Sequence, residues 1–495
     1  MSRPTYTPEF DEFCALAEQG NMVPVYREIL ADLETPVSAF LKIDQGGDAF
    51  LLESVEQAQR WGRYSFLGVE PELVFTSKGQ NVQTGKGGKL GAPVHVDDPF
   101  VAVKELLARY RPVPVRGLPP FSGGIVGYLG YDLVRFFEEL PEQTDDDLQL
   151  PDQYLMLVDT LVVFDNTAQK IKVVAHAHVG ADIDLRQAYE QTCRKIDELI
   201  SRLDKPVPQQ VSSPTLPGPP AIKSNIPQEE YERLVRVAKD YIVAGDIIQA
   251  VLAQRFECPL RTEPLSIYRC LRTVNPAPYM FYFRLGDNIL IGSSPEVMVR
   301  LEGRELTVRP IAGTRPRGTE ERSDKALEQE LVSDPKEIAE HIMLVDLGRN
   351  DVGRVSEVGS VEVTERLIVE RYSHVMHLVS NVRGRLIGGH DCFDAFRATF
   401  PAGTLTGAPK IRAMEIIEEL EPVRRGVYGG AVGYFSFSGN MDTCITIRTI
   451  LVKNGTIYIQ AGAGIVADSD PEREHAECVN KARAMVQAVR LAEAM

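Results

Sequence analysis

FYFRLGD (281–287), followed almost at once by ILIGSS (289–294), decides the fold class. Both runs are dense in aromatic and β-branched residues, and the corner between them is too short for a crossover helix. The same grammar recurs along the chain. SAFLKI (38–43) and AFLLES (49–54) flank DQGGD and read as a hairpin. GGIVGYLGYD (123–132), YLMLVDTLVVFDN (154–166) and TIYIQAG (456–462) read as further strands, and helices are expected over 334–346, 409–420 and 471–493. Hairpins outnumber βαβ spacings, so the chain is expected to be α+β, with large interwoven antiparallel sheets, sandwich-like, flanked by helices. One internal echo, GGIVGYLGYD against GGAVGYFSFS (429–438), fits either two strands in comparable sheet positions or chance.

The proline-rich stretch LDKPVPQQVSSPTLPGPPAI (203–222) breaks the pattern. It lies between an amphipathic helix ending near Leu203 and a second helix opened by Pro227 and stopped at Gly245. The expected division is 1–210, a linker over 211–224, and 225–495. A net charge of -16 excludes nucleic acid and anionic membrane as main partners, because both require a cationic surface. The N-terminal segment lacks the order of a signal peptide, and no apolar run approaches membrane-spanning length. Seven scattered cysteines without a CxxC suit buried apolar roles in a reducing cytoplasm.

Against that acidic background, RPIAGTRPRG (309–318) concentrates three arginines beside two glycines. Two helix starts are the stronger signal. DPKEIAE (334–340) and DPEREHAE (470–477) each open with an Asp N-cap and a Pro, then carry two glutamates three apart. Glu337 with Glu340, and Glu474 with Glu477, therefore share a helix face. Such residues also serve as dipole-complementing first-turn acids, and Glu337 suits a capping box with Asp334. If the four converge they need a cation, and Mg²⁺, with about six oxygen ligands, suits them.

QAGAGIVADS (460–469) matches a dinucleotide-binding pattern but lacks its context. Its glycines offer backbone N–H groups to a small anion, or form a tight turn. GTLTGAPK (403–410) has the wrong spacing for a Walker loop and leaves a helix N-terminus able to hold an anion. Arg448, read within one β-branched strand, needs a carboxylate from the protein or from a ligand. His377, on an apolar strand, is either a satisfied core residue or an acid–base group.

These motifs taken together resemble the chorismate-utilising enzymes over residues 225–490. The whole chain resembles their anthranilate synthase component I branch. The resemblance is carried by PIAGTRPRG, KEIAEHIMLVDLGRND, RYSHVMHLVS, TFPAGTLTGAPK, VYGGAVGYF, DTCITIRT, QAGAGIVADS and E-x-x-NKAR in order, joined by PVYRE, LLES and GGIVGYLGYD in the first 200 residues. It implies a Mg-dependent lyase that converts chorismate and ammonia to anthranilate and pyruvate, the first step of tryptophan biosynthesis. Glu340 and Glu477 would ligate the metal, with Glu337 and Glu474 assisting through water. Tyr428, Arg448 and the backbone of Gly462, Ala463 and Gly464 would hold the enolpyruvyl carboxylate. Gly313 and Thr314 would touch substrate, and Thr404 would line the catalytic site. Glu337 is expected as proton donor and His377 as base.

The resemblance also implies feedback inhibition by tryptophan, through Ser54, Pro278, Tyr279 and Met280 with Glu53 and Asn275 nearby. No cysteine sits in a Gly-x-Cys-x-Gly elbow, so ammonia is expected from a separate glutamine amidotransferase subunit, in a heterotetramer. Similar aminodeoxychorismate synthases carry lysine where this chain has Ala312. Isochorismate and salicylate synthases carry lysine where it has Gln249. The alternatives are another chorismate-aminating enzyme, forming aminodeoxychorismate or aminodeoxyisochorismate, and a non-catalytic tryptophan-binding regulator.

Overall fold

Phe50 and Phe283 stand opposite each other on neighbouring strands, and that pairing joins the two parts of the chain. The computed structural model describes residues 5–55, 62–208, 221–372 and 375–495. Strand Ala49–Glu53 pairs antiparallel with Tyr279–Leu285, which turns at once into Asn288–Ser294, as the opening stretch predicts. These strands lie at the centre of a 12-stranded sheet. A 13-stranded sheet lies beside it, and there Gly124–Leu129 pairs antiparallel with Ala431–Ser436. The two echoed segments are therefore direct neighbours, Gly127 opposite Gly433. Each sheet takes strands from both sides of the proline-rich stretch.

The chain passes between sheets at short breaks that look in sequence like continuous strands. Gln153–Val158 and Thr160–Asp165 belong to different sheets and part at Asp159. Asn288–Ser294 and Val297–Glu302 part at Pro295–Glu296. Met441–Ile445 and Thr449–Lys453 part at residues 446–448, so Arg448 lies at a sheet crossover, with φ +50°, and not inside one strand.

Period-2 alternation builds the layers. Phe50, Phe281 and Phe283 face Tyr128, Tyr154, Met156 and Tyr434 between the sheets. Leu51, Met280 and Tyr282 face the other way, onto helices. Each such aromatic contributes roughly 1.5–3 kcal/mol by burial. Six of the seven cysteines are buried with these apolar groups.

SAFLKI is a correction to the expected hairpin. It lies in helix Pro36–Ile43, whose N-cap Thr35 accepts a hydrogen bond from the Ser38 amide at 3.1 Å. Pro36, Ala39, Phe40 and Ile43 are its buried residues, a helical i, i+3, i+4, i+7 spacing. The two glutamate-bearing helices form as expected, Pro335–Gly353 capped by Asp334 and Pro471–Glu493 capped by Asp470. Most of the expected 211–224 linker lies outside the described residues; Lys223–Ser224 pairs with Phe256 and Glu257. Among the described residues no helix is long and apolar enough to cross a membrane.

Candidate active site

A cavity of about 780 Å³ opens between the sheets, where both glutamate-bearing helices begin. Its lining includes Glu337, Glu340, Glu474 and Glu477. Burial pushes the Glu340 carboxyl above the ordinary carboxylate range, and the charges of Glu337 and Glu477 push it further. Glu474 is raised by burial, with Glu477 adding to the effect. Glu340 thus feels an acid of its own helix, Glu337, and one of the other helix, Glu477. Two of them have cationic neighbours: Glu337 accepts from Arg315 at 3.0 Å and Glu477 from Lys481 at 2.7 Å. Among the described residues no three His, Cys, Asp or Glu side chains close around a point tightly enough to hold an ion alone.

Arg448 lines the same cavity and forms no ion pair among the described residues. Burial depresses its pKa, against the pull of Tyr428 and Glu477. A buried guanidinium without a protein carboxylate is a site for an anionic ligand.

The strand Thr456–Ile465 runs along the cavity, and the tight turn considered for its glycines is not formed. Gly464 pairs with Val251, yet the Val251 amide donates to the Thr406 carbonyl on its other side. That pair is therefore of the non-hydrogen-bonded kind, and so is Ala253–Gly462, whose Ala253 amide donates to Glu421. The N–H groups of Gly462 and Gly464 point the opposite way, past the end of strand Thr449–Lys453. A Cβ at Gly464 would lie 2.4 Å from the Gln249 side-chain nitrogen, so a larger residue there would displace that amide. Lys481 donates to the Gly462 carbonyl at 2.9 Å. Ala463 turns its methyl group into the apolar core behind the strand.

Across the cavity, strand Ile311–Pro316 is irregular between Ala312 and Thr314, and Gly313 takes φ +65° there. The kink brings the Gly313 carbonyl to 3.1 Å and the Thr314 hydroxyl to 3.0 Å from His377 Nδ1. A proton on Nδ1 donated to that carbonyl leaves Nε2 as the free basic nitrogen. Burial lowers the His377 pKa to about 4, so the ring is neutral near pH 7.

The arginines of RPIAGTRPRG are held by protein acids. Arg309 pairs with Glu370 at 2.6 Å, Arg315 with Asp334 at 2.8 Å and Arg317 with Asp324 at 2.8 Å. Lys410 of GTLTGAPK is likewise engaged by Asp351 at 2.8 Å.

Sequence reasoning missed Glu296. It sits at the Pro295–Glu296 crossover, lines the cavity, and accepts from Thr404 at 3.3 Å. Burial raises its carboxyl to about 8, so it carries a proton at neutral pH. Its only local signal is SSPE, an acid wedged between two apolar strands.

A family model described as chorismate binding enzyme matches residues 47–487. The chain is 51% identical over 489 residues to the anthranilate synthase component 1 of Pseudomonas aeruginosa, covering 98% of this chain and 99% of that one. The chain belongs to the anthranilate synthase component 1 family of chorismate-binding enzymes. Component 1 of Acetivibrio thermocellus is 47% identical over 494 residues, covering 98% of each chain. The crystal structure of anthranilate synthase component I from Streptococcus pneumoniae TIGR4 superimposes with a TM-score of 0.76 at 37% identity, covering 92% of this chain and 99% of that one. MenF, the menaquinone-specific isochorismate synthase of Escherichia coli, shares the fold, with a TM-score of 0.69 at 20% identity and coverage of 97% and 98%.

This component 1 chain has a second cavity between the sheets, of about 250 Å³. Glu53, Ser54, Pro278, Tyr279 and Met280 line it beside Phe66, Phe281 and Tyr434. Asn275 does not. Its amide nitrogen donates to the Ser293 hydroxyl at 2.8 Å.

Proposed function

We propose that this chain is the synthase subunit that converts chorismate and ammonia to anthranilate, pyruvate and water, as a Mg²⁺-dependent lyase in the cytoplasm. The observation that carries the reading is the meeting, in one cavity, of a half-buried guanidinium that has no ion pair among the described residues with four glutamates from two helix starts. Chorismate carries two carboxylates, and the cavity offers each a separate mode of neutralisation. Arg448, Tyr428 and the outward N–H groups of Gly462 and Gly464 suit the enolpyruvyl carboxylate.

The glutamates fit a hard divalent ion. They are all-oxygen donors, and burial with mutual repulsion disfavours the charge on Glu340 unless a cation is present. Glu340 and Glu477 would hold Mg²⁺, with Glu337 and Glu474 reaching it through water, and the bound ion would neutralise the ring carboxylate as a Lewis acid.

Ammonia adds at ring C2 as the C4 hydroxyl departs. The buried side-chain oxygen of Gln249 has no hydrogen-bond partner among the described residues, which makes it a suitable acceptor for an ammonia N–H. Neither it nor Ala312 supplies the lysine amine of the related branches. The departing hydroxyl needs a proton, and Glu296 is better suited to give it than Glu337, which accepts from Arg315. His377 Nε2 then takes the C2 proton as pyruvate is eliminated and the ring becomes aromatic.

The second cavity suits tryptophan as a feedback inhibitor, with an aromatic slot beside polar groups at Ser54 and Glu53. Ammonia would come from a glutamine amidotransferase partner in a heterotetramer. The test is direct: chorismate, ammonium and Mg²⁺ should yield anthranilate fluorescence that disappears on chelation, returns with Mg²⁺ and falls with tryptophan. Accumulation of only an aminodeoxychorismate isomer would favour another aminating enzyme, and tryptophan binding without turnover would favour a regulator.

A further inference from the structure

Two motif ends have no part in that chemistry. Asp351 closes KEIAEHIMLVDLGRND, and Lys410 closes GTLTGAPK. They meet at 2.8 Å, with side chains only 8% and 11% exposed, and Lys410 also donates to the Thr399 carbonyl at 3.2 Å. A buried ion pair costs desolvation and is weak as a pure stabiliser, so its position is informative. Asp351 and Thr399 line a small cavity of about 40 Å³, enough for about one to three waters. Glu296 and Thr404 line the same cavity. Both of those residues also line the large cavity. Glu296 thus borders both spaces, the large cavity and a small one whose polar groups are Glu296 itself, Arg309, Asp351, Thr399 and Thr404.

We propose that this small cavity is the proton supply of Glu296, with water held between Asp351 and Glu296 returning the proton that each turnover removes. The proposal rests on Glu296 being the proton donor of the reaction. Turnover moves one proton from the Glu296 carboxyl to the departing hydroxyl, giving water and a carboxylate. Recharging consumes one proton from solvent. It crosses the Lys410–Asp351 pair onto cavity water, and that water passes a proton to the carboxylate. No electrons are transferred. The route runs behind the substrate, so recharging does not wait for the large cavity to empty. Asp351 and Lys410 are positioning residues here, because neither lines the substrate cavity.

Charged and titratable groups lie on both sides of Glu296. Arg309 lines the small cavity, with its guanidinium on Glu365 and Glu370. Asp351 lies there with Lys410 behind it, while His377, Arg448, Tyr428, Lys336, Arg473, Lys481 and the four glutamates border the large cavity. Removing one member of the Asp351–Lys410 pair leaves the other's charge on that side.

The test compares Asp351→Asn, Lys410→Met and Lys410→Arg with the unsubstituted chain. Rates are measured at saturating chorismate, constant Mg²⁺ and fixed free ammonia, across pH values spanning 8. Asp351→Asn should lower kcat about tenfold or more with little change in KM for chorismate, the signature of slowed proton delivery. Its solvent deuterium isotope effect on kcat should rise, and its alkaline limb should move to lower pH because the Lys410 charge then favours the Glu296 carboxylate. Lys410→Met should move the limb the opposite way, and Lys410→Arg should restore the original profile. If Asp351→Asn does not fold, the two Lys410 variants carry the same comparison. Loss of rate with the limb and isotope effect unmoved in every folded variant overturns the proton supply. Glu296→Gln separates the two ideas. Full activity in that variant refutes Glu296 as donor, whereas its loss beside unmoved Asp351 and Lys410 profiles refutes only the supply.

Discussion

The two large cavities lie between the same pair of sheets and share Pro295 and Ile311 in their walls, yet they treat charge in opposite ways. The larger leaves Arg448 without an ion pair among the described residues and has four glutamates in its lining. In the smaller, charges are matched before any ligand arrives. Arg300 pairs with Asp442, and Glu53 accepts from Tyr268 at 2.5 Å and Arg272 at 3.2 Å. Its aromatic walls then present shape more than net potential. A doubly charged substrate with a metal needs charges the protein has not already neutralised. A zwitterion with an indole ring needs an apolar slot and a few dipoles. Under the proposed function, uncommitted charge goes with the chemistry and committed charge with recognition.

The contrast breaks most visibly at Arg448. Arg448→Ala should reduce kcat/KM for chorismate about 10³-fold, the scale for removing one partner of a buried charge pair. Arg448→Lys should recover little, because an ammonium lacks the planar fork. A mild effect of either variant would place the enolpyruvyl carboxylate elsewhere.

Next come the proton-transfer groups. His377→Ala and Glu296→Gln should each lower anthranilate formation about 10²-fold or more. The signs of their pH limbs differ. Glu296 must hold its proton, so activity declines as pH rises through about 8. His377 must be free of one, so activity declines as pH falls toward about 4. A full rate of anthranilate formation by His377→Ala would end its assignment as base.

In the smaller cavity a bulky substitution should alter recognition. Ser54→Phe should raise the tryptophan concentration for half-inhibition by about tenfold, the size of a lost interface contact. Unchanged sensitivity would move the regulatory site away from this cavity.

A further effect, on stability and not on rate, concerns neither cavity. His176 is buried and bonded through Nδ1 to the Asp159 carbonyl at 2.9 Å, and burial depresses its pKa from 6.5 to about 4. Its folded-state pKa lies below the unfolded one. The stability it contributes is therefore present above pH 6.5 and lost as pH falls to about 4, roughly 3 kcal/mol in all. Urea midpoints at pH values on either side of 6.5 should show this slope, and His176→Gln should flatten it. An unchanged slope would assign the acid sensitivity to other groups.

How much of this was legible depends on the range of the forces involved. The helix starts at Asp334 and Asp470 were readable because capping and first-turn acids are local. The FYFRLGD–ILIGSS pairing was readable for the same reason. SAFLKI misled because apolar content outweighed two local clues, the Thr35 cap and Pro36. Strand-like runs gave no warning that they change sheets at Asp159, Glu296 or Arg448, since both flanks of each break are equally apolar. Glu296 was invisible on the same grounds. Its raised pKa comes from desolvation by elements far apart in the chain, and sequence spacing does not encode that. The glutamates and Arg448 were assembled into one site by resemblance; helix periodicity alone paired the acids two by two.

The junctions between the two parts of the chain have a consequence for synthesis. Strand Ala49–Glu53 emerges from the ribosome more than 220 residues before its neighbour Tyr279–Leu285, and Gly124–Leu129 waits still longer for Ala431–Ser436. Until then the nascent polypeptide carries two bare edges whose amides and carbonyls have only water for partners. Such long-range closure slows folding and leaves the growing chain open to mispairing until the late strands arrive.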